Sequence, residues 1–343
     1  MDRRYFNQAM MALAASATLP AFASQIDIAA YPSFGPKERL TRIGLVSVGG
    51  ADGNTVATIA KGLSHVTLTI AIDTDASSLS SSGADRVVFI SEHREKPQHP
   101  RQVYEMARRQ EERIEAAIDG LDLLIVVAGM YGAAGKGLTP IVAKIANRKD
   151  ICMLCLAITP AQWTGLNSST RVQYYLQQIQ RTGAVILPIN SQWMPKAFAE
   201  GIPSVAEATR VVCEGLGYAL NQGEIIGIEL DDLRLAMEPG SVLSMSWGYA
   251  SGTARIQRAV DSAIAHPLMG IDRLTQATGL VINFRGGKDL PMSEIQTKAR
   301  ELQRLSTVDP YFLYSASIDE SIGDKVIVSI FANSAELATP VAA

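Results

Sequence analysis

Two glycine-rich stretches carry residue types that could do chemistry. The first is Ala128–Gly137, AGMYGAAGKG, directly after the apolar run LDLLIVVA and directly before the helical pattern LTPIVAKIANRK. A strand that passes through a glycine loop into a helix is built to hold phosphate: small residues let the backbone approach, and the helix start offers unpaired N–H groups and the positive end of the dipole. The second is Val48–Asn54, VGGADGN, at the end of the β-rich run RIGLVSV. Asp73 and Asp75 close a further strand pattern, VTLTIAIDTD, about where a dinucleotide fold places its ribose-binding acid. That fold needs G-x-G-x-x-G, however. Gly50 and Gly53 fit the last two positions and Val48 occupies the first, so a dinucleotide-binding dehydrogenase is disfavoured.

Other reactive types point to structure. Cys152 and Cys155 form C-x-x-C inside ICMLCLAIT, which reads as a buried strand, where residues three apart face opposite sides. Two inert core thiols are expected, not a redox or zinc pair. His93 and His99 share the polar stretch SEHREKPQHPR with no third ligand at metal spacing. With 19% charged residues and a net charge of −3, the chain offers no basic face for nucleic acid.

These residues need strands and helices to position them. From Arg42 to about Asn221, apolar strand patterns alternate with helical ones, which calls for an α/β domain: a parallel sheet covered by helices on both faces. RQVYEMARRQEERIEAAIDG reads as one amphipathic helix ending at Gly120, and SVAEATRVVCEGLGYALNQ as a longer one. Beyond Gly223 the texture changes to GSVLSMSWGYA, TGLVINFRGG, YFLYSASIDE and DKVIVSIFAN, strands with few helices between them, hence a second, α+β domain. At 343 residues the chain is long enough for both. The N-terminus, MDRRYFNQAMMALAASATLPAFASQ, has paired arginines, an apolar stretch from Ala9 to Ala23 and a small-residue site, the form of an export or membrane-targeting segment. Arg3-Arg4-Tyr5-Phe6 resembles a twin-arginine signal.

Motif order then resembles the tubulin/FtsZ superfamily over Thr41 to Asn333. VGGADGN is similar to the first phosphate loop, AIDTDASSL to the segment NTDA, AGMYGAAGKG to the signature AGMGGGTGTG, and GIELDDLRLAM to the acid loop NVDFADVRTVM. GYASGTARIQRAVDSAIAHPLM and GLVINFRGGKDLPMSEI resemble the second domain. The resemblance implies the tubulin/FtsZ fold: a targeting segment over 1–36, a Rossmann-like nucleotide-binding domain over 37–204, a central helix over 205–222, an α+β domain over 223–335 and a short tail over 336–343. It implies GTP or GDP with Mg2+ as a candidate companion, head-to-tail homopolymers, and slow hydrolysis completed by acids from the next subunit. A degenerate homologue that assembles without hydrolysis is the alternative.

Carried over residue by residue, the resemblance assigns nucleotide contacts to Gly49, Gly50, Asp52, Gly53 and Asn54, to Asp75, and to Gly132, Ala133, Ala134, Gly135, Lys136 and Gly137. Asn190 and Cys213 fall at the base end, Cys213 where the family has its guanine-reading acid and Thr209 where it has a stacking Phe. Glu229 and Asp232 fall on the catalytic acids, with Asp231 extra; the two aspartates also suit a helix start. The departures are informative. Both signature threonines are gone, and Lys136 stands where a hydroxyl stood, either neutralising phosphate or lying solvated. EHREKPQHPRQ replaces a glycine-rich loop, and Thr164–Asn167 replaces a basic sugar-and-phosphate motif. The sequence stops at AELATPVAA without the long tail of FtsZ that binds membrane tethers, so residues 1–23 are the expected membrane contact of a cytoplasmic protein, export being the alternative.

Overall fold

The structure is a computed structural model. It describes residues 40–334 apart from 50–55, 57–58, 61, 92–96, 98, 160–165, 191–203, 221–223, 267 and 270. The targeting segment, Gly50, Asp52, Gly53, Asn54 and the first half of the Thr164–Asn167 motif lie outside the described residues.

The first half is β1 (Ile43–Val48), β2 (Val66–Asp73), α1 (Ala76–Ser80), β3 (Arg86–Phe89), α2 (Pro100–Arg109), α3 (Glu111–Ile118), β4 (Leu123–Gly129), α4 (Ala133–Arg148), β5 (Cys152–Thr159), α5 (Leu166–Gln180) and β6 (Val185–Asn190). After α6 (Ser204–Leu220) come β7 (Glu224–Ile226), α7 (Leu230–Met237), β8 (Val242–Ala250), α8 (Arg255–Ile264), α9 (Ile271–Thr275), β9 (Gly279–Gly286), α10 (Met292–Leu305), β10 (Tyr311–Ile318) and β11 (Val326–Ser334). The strands order as β3-β2-β1-β4-β5-β6-β8-β11-β9-β10-β7 in one sheet. Strands β1 to β6 pair in parallel. In the second half β9 and β10 are parallel, while β11 runs antiparallel to β8 and β9. The two halves join at one residue pair, Ile186 with Val242.

A parallel strand with both faces buried must be apolar at every position. In β4, Leu123, Ile125 and Val127 enter one core, and Leu124, Val126 and Ala128 the other. Strand β5 divides likewise: Cys155 sits in the second core while Cys152 packs against the first, so the C-x-x-C points both ways, as period two requires. Burial pushes the Cys152 thiol to about 11 and Cys155 to about 12, which makes both unreactive at neutral pH.

Helix α6 is the joint between the halves. Ala208, Val212, Cys213, Leu216 and Leu220 share one core with Ile43, Leu45 and Leu156 of the first half and with Met245, Val281 and Phe331 of the second. The strands and helices of the alternating pattern that fall on described residues are present, the helical stretch after β1 lying mostly outside them, with one correction. RQVYEMARRQEERIEAAIDG is two helices, broken at Gln110, whose backbone at φ −120° and ψ 23° leaves the helix. The break gives Glu111 and Glu112 a first turn of their own, where the dipole favours acids.

Two histidines, one buried and one half-buried, set an acid limit on this fold. Burial lowers His65, with the Arg285 charge adding to it, and lowers His266 to about 4. A histidine with a depressed folded value gives stability that is whole above its unfolded value near 6.5 and is lost as pH falls. Denaturant midpoints should therefore drop between about pH 6.5 and pH 4, before most carboxylates protonate. His266→Gln should flatten that slope in equilibrium unfolding monitored by circular dichroism.

Candidate functional site

The carboxyl ends of parallel strands share one edge, and open α/β sheets hold ligands outside that edge. Here it carries Gly49 after β1, Asp73–Asp75 after β2, Tyr131–Gly132 after β4 and Asn190 at the end of β6.

The glycines there do different jobs. Gly49 has a left-handed backbone (φ +55°) and donates its N–H to Ile72 O at 3.0 Å. A Cβ on it would lie 2.3 Å from the Gly135 nitrogen, and a Cβ on Gly135 would lie 2.1 Å from Gly129 O. The chain at Gly49, where β1 ends, is thus pressed onto the start of α4, and neither glycine has room for a side chain. Gly137 is a packing glycine: a Cβ there would meet Val103 of α2 at 2.6 Å. Ala134, Gly135 and Gly137 are all buried. Gly132 differs. It is the N-cap of α4 at φ −92° and ψ 168°; among the described residues nothing lies within 4 Å of where its Cβ would be, and no side chain caps the helix. The first-turn N–H groups, beginning at Ala133, therefore face an open cradle at the positive end of the helix dipole.

Two neighbours tune the cradle. Lys136 is half-buried in the first turn, its Nζ 3.5 Å from Tyr131 O and 5.9 Å from the Tyr175 ring. A cation at the positive end of a helix is unfavourable unless an anion joins it. Thr74 Oγ1 is buried with no hydrogen-bond partner among the described residues, a condition costing about 1–3 kcal/mol that a ligand acceptor or donor would relieve. Asp73, also buried, receives the Thr74 N–H at 2.6 Å and the Asp75 N–H at 3.2 Å, so it shapes the loop. Asp75 caps α1, accepting from Ser77 N at 3.0 Å and Ser77 Oγ at 2.6 Å.

The base end needs correction. Cys213 is 1% exposed and lies in the core. Burial and the nearby Glu214 charge push its thiol far up. Thr209 is also buried and returns its hydroxyl to Val205 O at 2.7 Å. Ala208, Val212, Cys213, Leu216, Ala219 and Leu220 form the buried apolar stripe of α6, which turns Cys213 into the core and away from a base. The polar stripe is Glu207, Arg210 and Glu214. Arg210 bonds Glu207 through two nitrogens at 2.9 and 3.0 Å and Glu214 at 2.7 Å. Glu214 also accepts from buried Arg285 of β9 at 2.6 Å, and Arg285 lies 4.7 Å over the Tyr218 ring. These residues line a cavity of about 140 Å³ between α6 and the second-half sheet. Sequence reading missed this seam, although the E-x-x-R-x-x-x-E spacing in AEATRVVCEG signals it.

The acids stand elsewhere. Glu229 is the exposed N-cap residue of α7, Asp231 is exposed, and Asp232 accepts from the Tyr311 hydroxyl at 3.2 Å. Arg234 of the same helix binds Asp150, in the turn before β5. That turn is at the amino end of β5, opposite the glycine loops. Helix α4 runs between the two ends with 16 residues, about 24 Å at 1.5 Å per residue. Within one chain, acids and cradle do not meet.

The tubulin/FtsZ GTPase-domain family model matches residues 42–197, and the FtsZ C-terminal domain model matches residues 241–336. The chain belongs to the tubulin/FtsZ family. It is 26% identical over 298 residues to the cell division protein FtsZ of Haloferax mediterranei, covering 83% of this chain and 78% of that one. To the FtsZ of Rhizobium radiobacter it is 29% identical over 306 residues, covering 85% of this chain and 52% of that one, so it spans about half that relative's length. Among solved structures, an empty FtsZ dimer of M. jannaschii superposes with a TM-score of 0.75 at 22% identity, covering 87% of this chain and 89% of that one. The GTPγS-bound protofilament of CetZ2 from Haloferax volcanii gives 0.70 at 16%, covering 88% and 95%. The fold is thus FtsZ-like throughout the described residues. Among those residues, no cluster of three or more His, Cys, Asp or Glu could hold a metal alone, and no helix is long and apolar enough to cross a membrane.

Two substitutions separate fold from ligand. Gly132→Asp adds an N-cap carboxylate, so thermal stability should hold or rise by a few tenths of a kcal/mol, about the Asp–Gly capping difference. The same charge fills the anion cradle, and nucleotide affinity measured by calorimetry should fall at least about tenfold. Cys213→Asp buries a carboxylate without a partner and should cost about 3 kcal/mol or more in chemical unfolding. It should bring no gain in guanine over adenine preference.

Proposed function

We propose that this chain binds a guanine nucleotide at the α4 cradle, assembles head to tail into filaments, and hydrolyses GTP slowly at the contact between subunits. One observation carries the proposal: the phosphate cradle and the acid helix stand at opposite ends of the same sheet, joined through α4 and the Asp150 turn. A subunit stacked on another in the same orientation brings Glu229 and Asp232 of one to the Gly132 cradle of the other. Such a contact is heterologous and does not close, so it grows a filament.

Family membership supports this reading of the site. The backbone N–H groups from Ala133 onward hold the phosphates, Lys136 offsets their charge, and Thr74 Oγ1 takes one of the remaining polar contacts. Asn190, on the same strand edge, is the remaining base-end candidate. A companion Mg2+ would draw on Glu229 and Asp232 together with phosphate oxygens, since Mg2+ sites commonly use one or two carboxylates. Glu229 and Asp232 orient and polarise an attacking water, as paired acids can. Turnover is slow because two hydroxyls of the family signature are replaced by Ala134 and Lys136. Membrane attachment through residues 1–23 completes the proposal; full-length protein should float with vesicles, and protein lacking residues 2–23 should not.

The decisive test is mixing. Sedimentation with GTP, and phosphate release alongside it, should occur for the wild type. Gly132→Asp and Asp232→Asn should each release little phosphate alone. Each mixed filament contact joins one subunit's cradle to another's acids, so an equal mixture should recover up to about a quarter of wild-type turnover. No recovery would refute the shared site. Assembly without any phosphate release would favour the non-hydrolysing reading, which the lost signature hydroxyls also support.

A further inference from the structure

The acid helix α7 is only 8 residues long, too short to hold its own orientation. It is held from both halves of the chain. From the first half, Asp150 takes Arg234. Both Asp150 carboxylate oxygens accept from Arg234 Nη1 at 3.1 Å, and the Asp150 carbonyl accepts from Nη2. Asp150 has a left-handed backbone (φ +56°), which aspartate tolerates better than most residues, in the turn that ends α4. Arg234 also bears on the Cys152 thiol, and its side chain is 26% exposed. From the second half, Tyr311 at the start of β10 donates to Asp232 Oδ1 at 3.2 Å. Beneath the helix, Gly279 leaves room for close approach: a Cβ there would lie 1.8 Å from Ala236 O. At the helix entry, Ile228 donates to Ala219 O of α6 at 2.9 Å.

We propose that Arg234, anchored on Asp150, and Tyr311 are positioning residues that set the angle at which α7 presents Asp232 and Glu229 to the neighbouring nucleotide. The division of labour is chemical. The cation of Arg234 goes to Asp150, with Asp231 at 3.8 Å, while Asp232 is oriented by a neutral hydroxyl and keeps its negative charge for the reaction. The anchor also has a consequence for coupling. Asp150 follows the last turn of α4, whose first turn is the phosphate cradle, so one helix connects a subunit's own nucleotide to the acids it offers its neighbour. This role rests on the hydrolytic reading of Glu229 and Asp232.

The test compares Arg234→Ala, Arg234→Lys, Asp150→Ala and Tyr311→Phe, each as the full chain. Tyr311→Phe removes one oxygen and should leave the fold intact. Calorimetric affinity for GTP and the sedimented fraction should stay within about twofold of wild type, because neither residue touches the chain's own cradle. Turnover per sedimented subunit should fall about ten- to a hundredfold in Arg234→Ala, the scale of a catalytic group misplaced by an ångström. Arg234→Lys should recover part of it. Asp150→Ala should lose less than Arg234→Ala, since the backbone carbonyl still holds the guanidinium. Wild-type turnover in both Arg234→Ala and Tyr311→Phe would overturn the inference and leave the hydrolytic reading standing. Failure of Arg234→Ala to sediment would also overturn it, making the residue part of the assembly. A wild type that sediments and releases no phosphate would remove the hydrolytic reading and this role together.

Discussion

Parallel pairing is the constraint on which this structure depends. Strands β1 to β6 run the same way, so every strand-to-helix loop emerges at one edge and every helix-to-strand turn at the other. The glycine loops after β1 and β4 consequently share one edge, and the Asp150 turn belongs to the opposite edge. No side-chain rearrangement can bring α7 to the cradle of its own chain. The separation of the two halves of the chemistry follows from strand direction, and a second molecule is the simplest way to close the gap.

Close backbone approach is the second organising element. Gly49, Gly129 and Gly135 interlock, so that the end of β1, the end of β4 and the first turn of α4 become one close-packed corner. Rigidity at this corner is what a phosphate site needs, because ordering loose N–H groups on binding would cost conformational entropy. Among the described residues, Gly132 is the one glycine of the signature that leaves open space. The seam on α6 is a different kind of contact. Glu214 lies between Arg210 and Arg285, and both Glu214 and Arg285 are largely buried. Such a chain is specific more than it is stabilising, because desolvation offsets much of the Coulombic attraction. It fixes which face of α6 meets the second half, while the apolar stripe supplies the burial.

Much of the fold was legible in the residues. The short apolar runs in β1, β4 and β5 have the length and β-branched content of strands buried on both faces, and their alternation with helical periods yields the parallel sheet. The opposed C-x-x-C in β5 followed from strand period alone. The break at Gln110 was not legible, because the amphipathic period continues across it and only backbone angles distinguish one helix from two. The single sheet joining both halves was also beyond reach, since the contact between β6 and β8 is one residue pair long.

The site divides along the same line. Amino-acid types determined that a glycine loop enters a helix, that this helix start is uncapped, and that the acid loop carries Glu229 and Asp232; these are properties of short segments, and short segments show in sequence. Tertiary structure decided which glycines are open and which are crowded, because crowding depends on a chain segment distant in sequence. It moved Cys213 from a proposed base contact into the core, since on a helix the apolar stripe and the polar stripe differ by 100° per residue and a small misalignment exchanges them. It also decided that Arg234 reaches Asp150, a pair 84 residues apart that only the tertiary fold brings together.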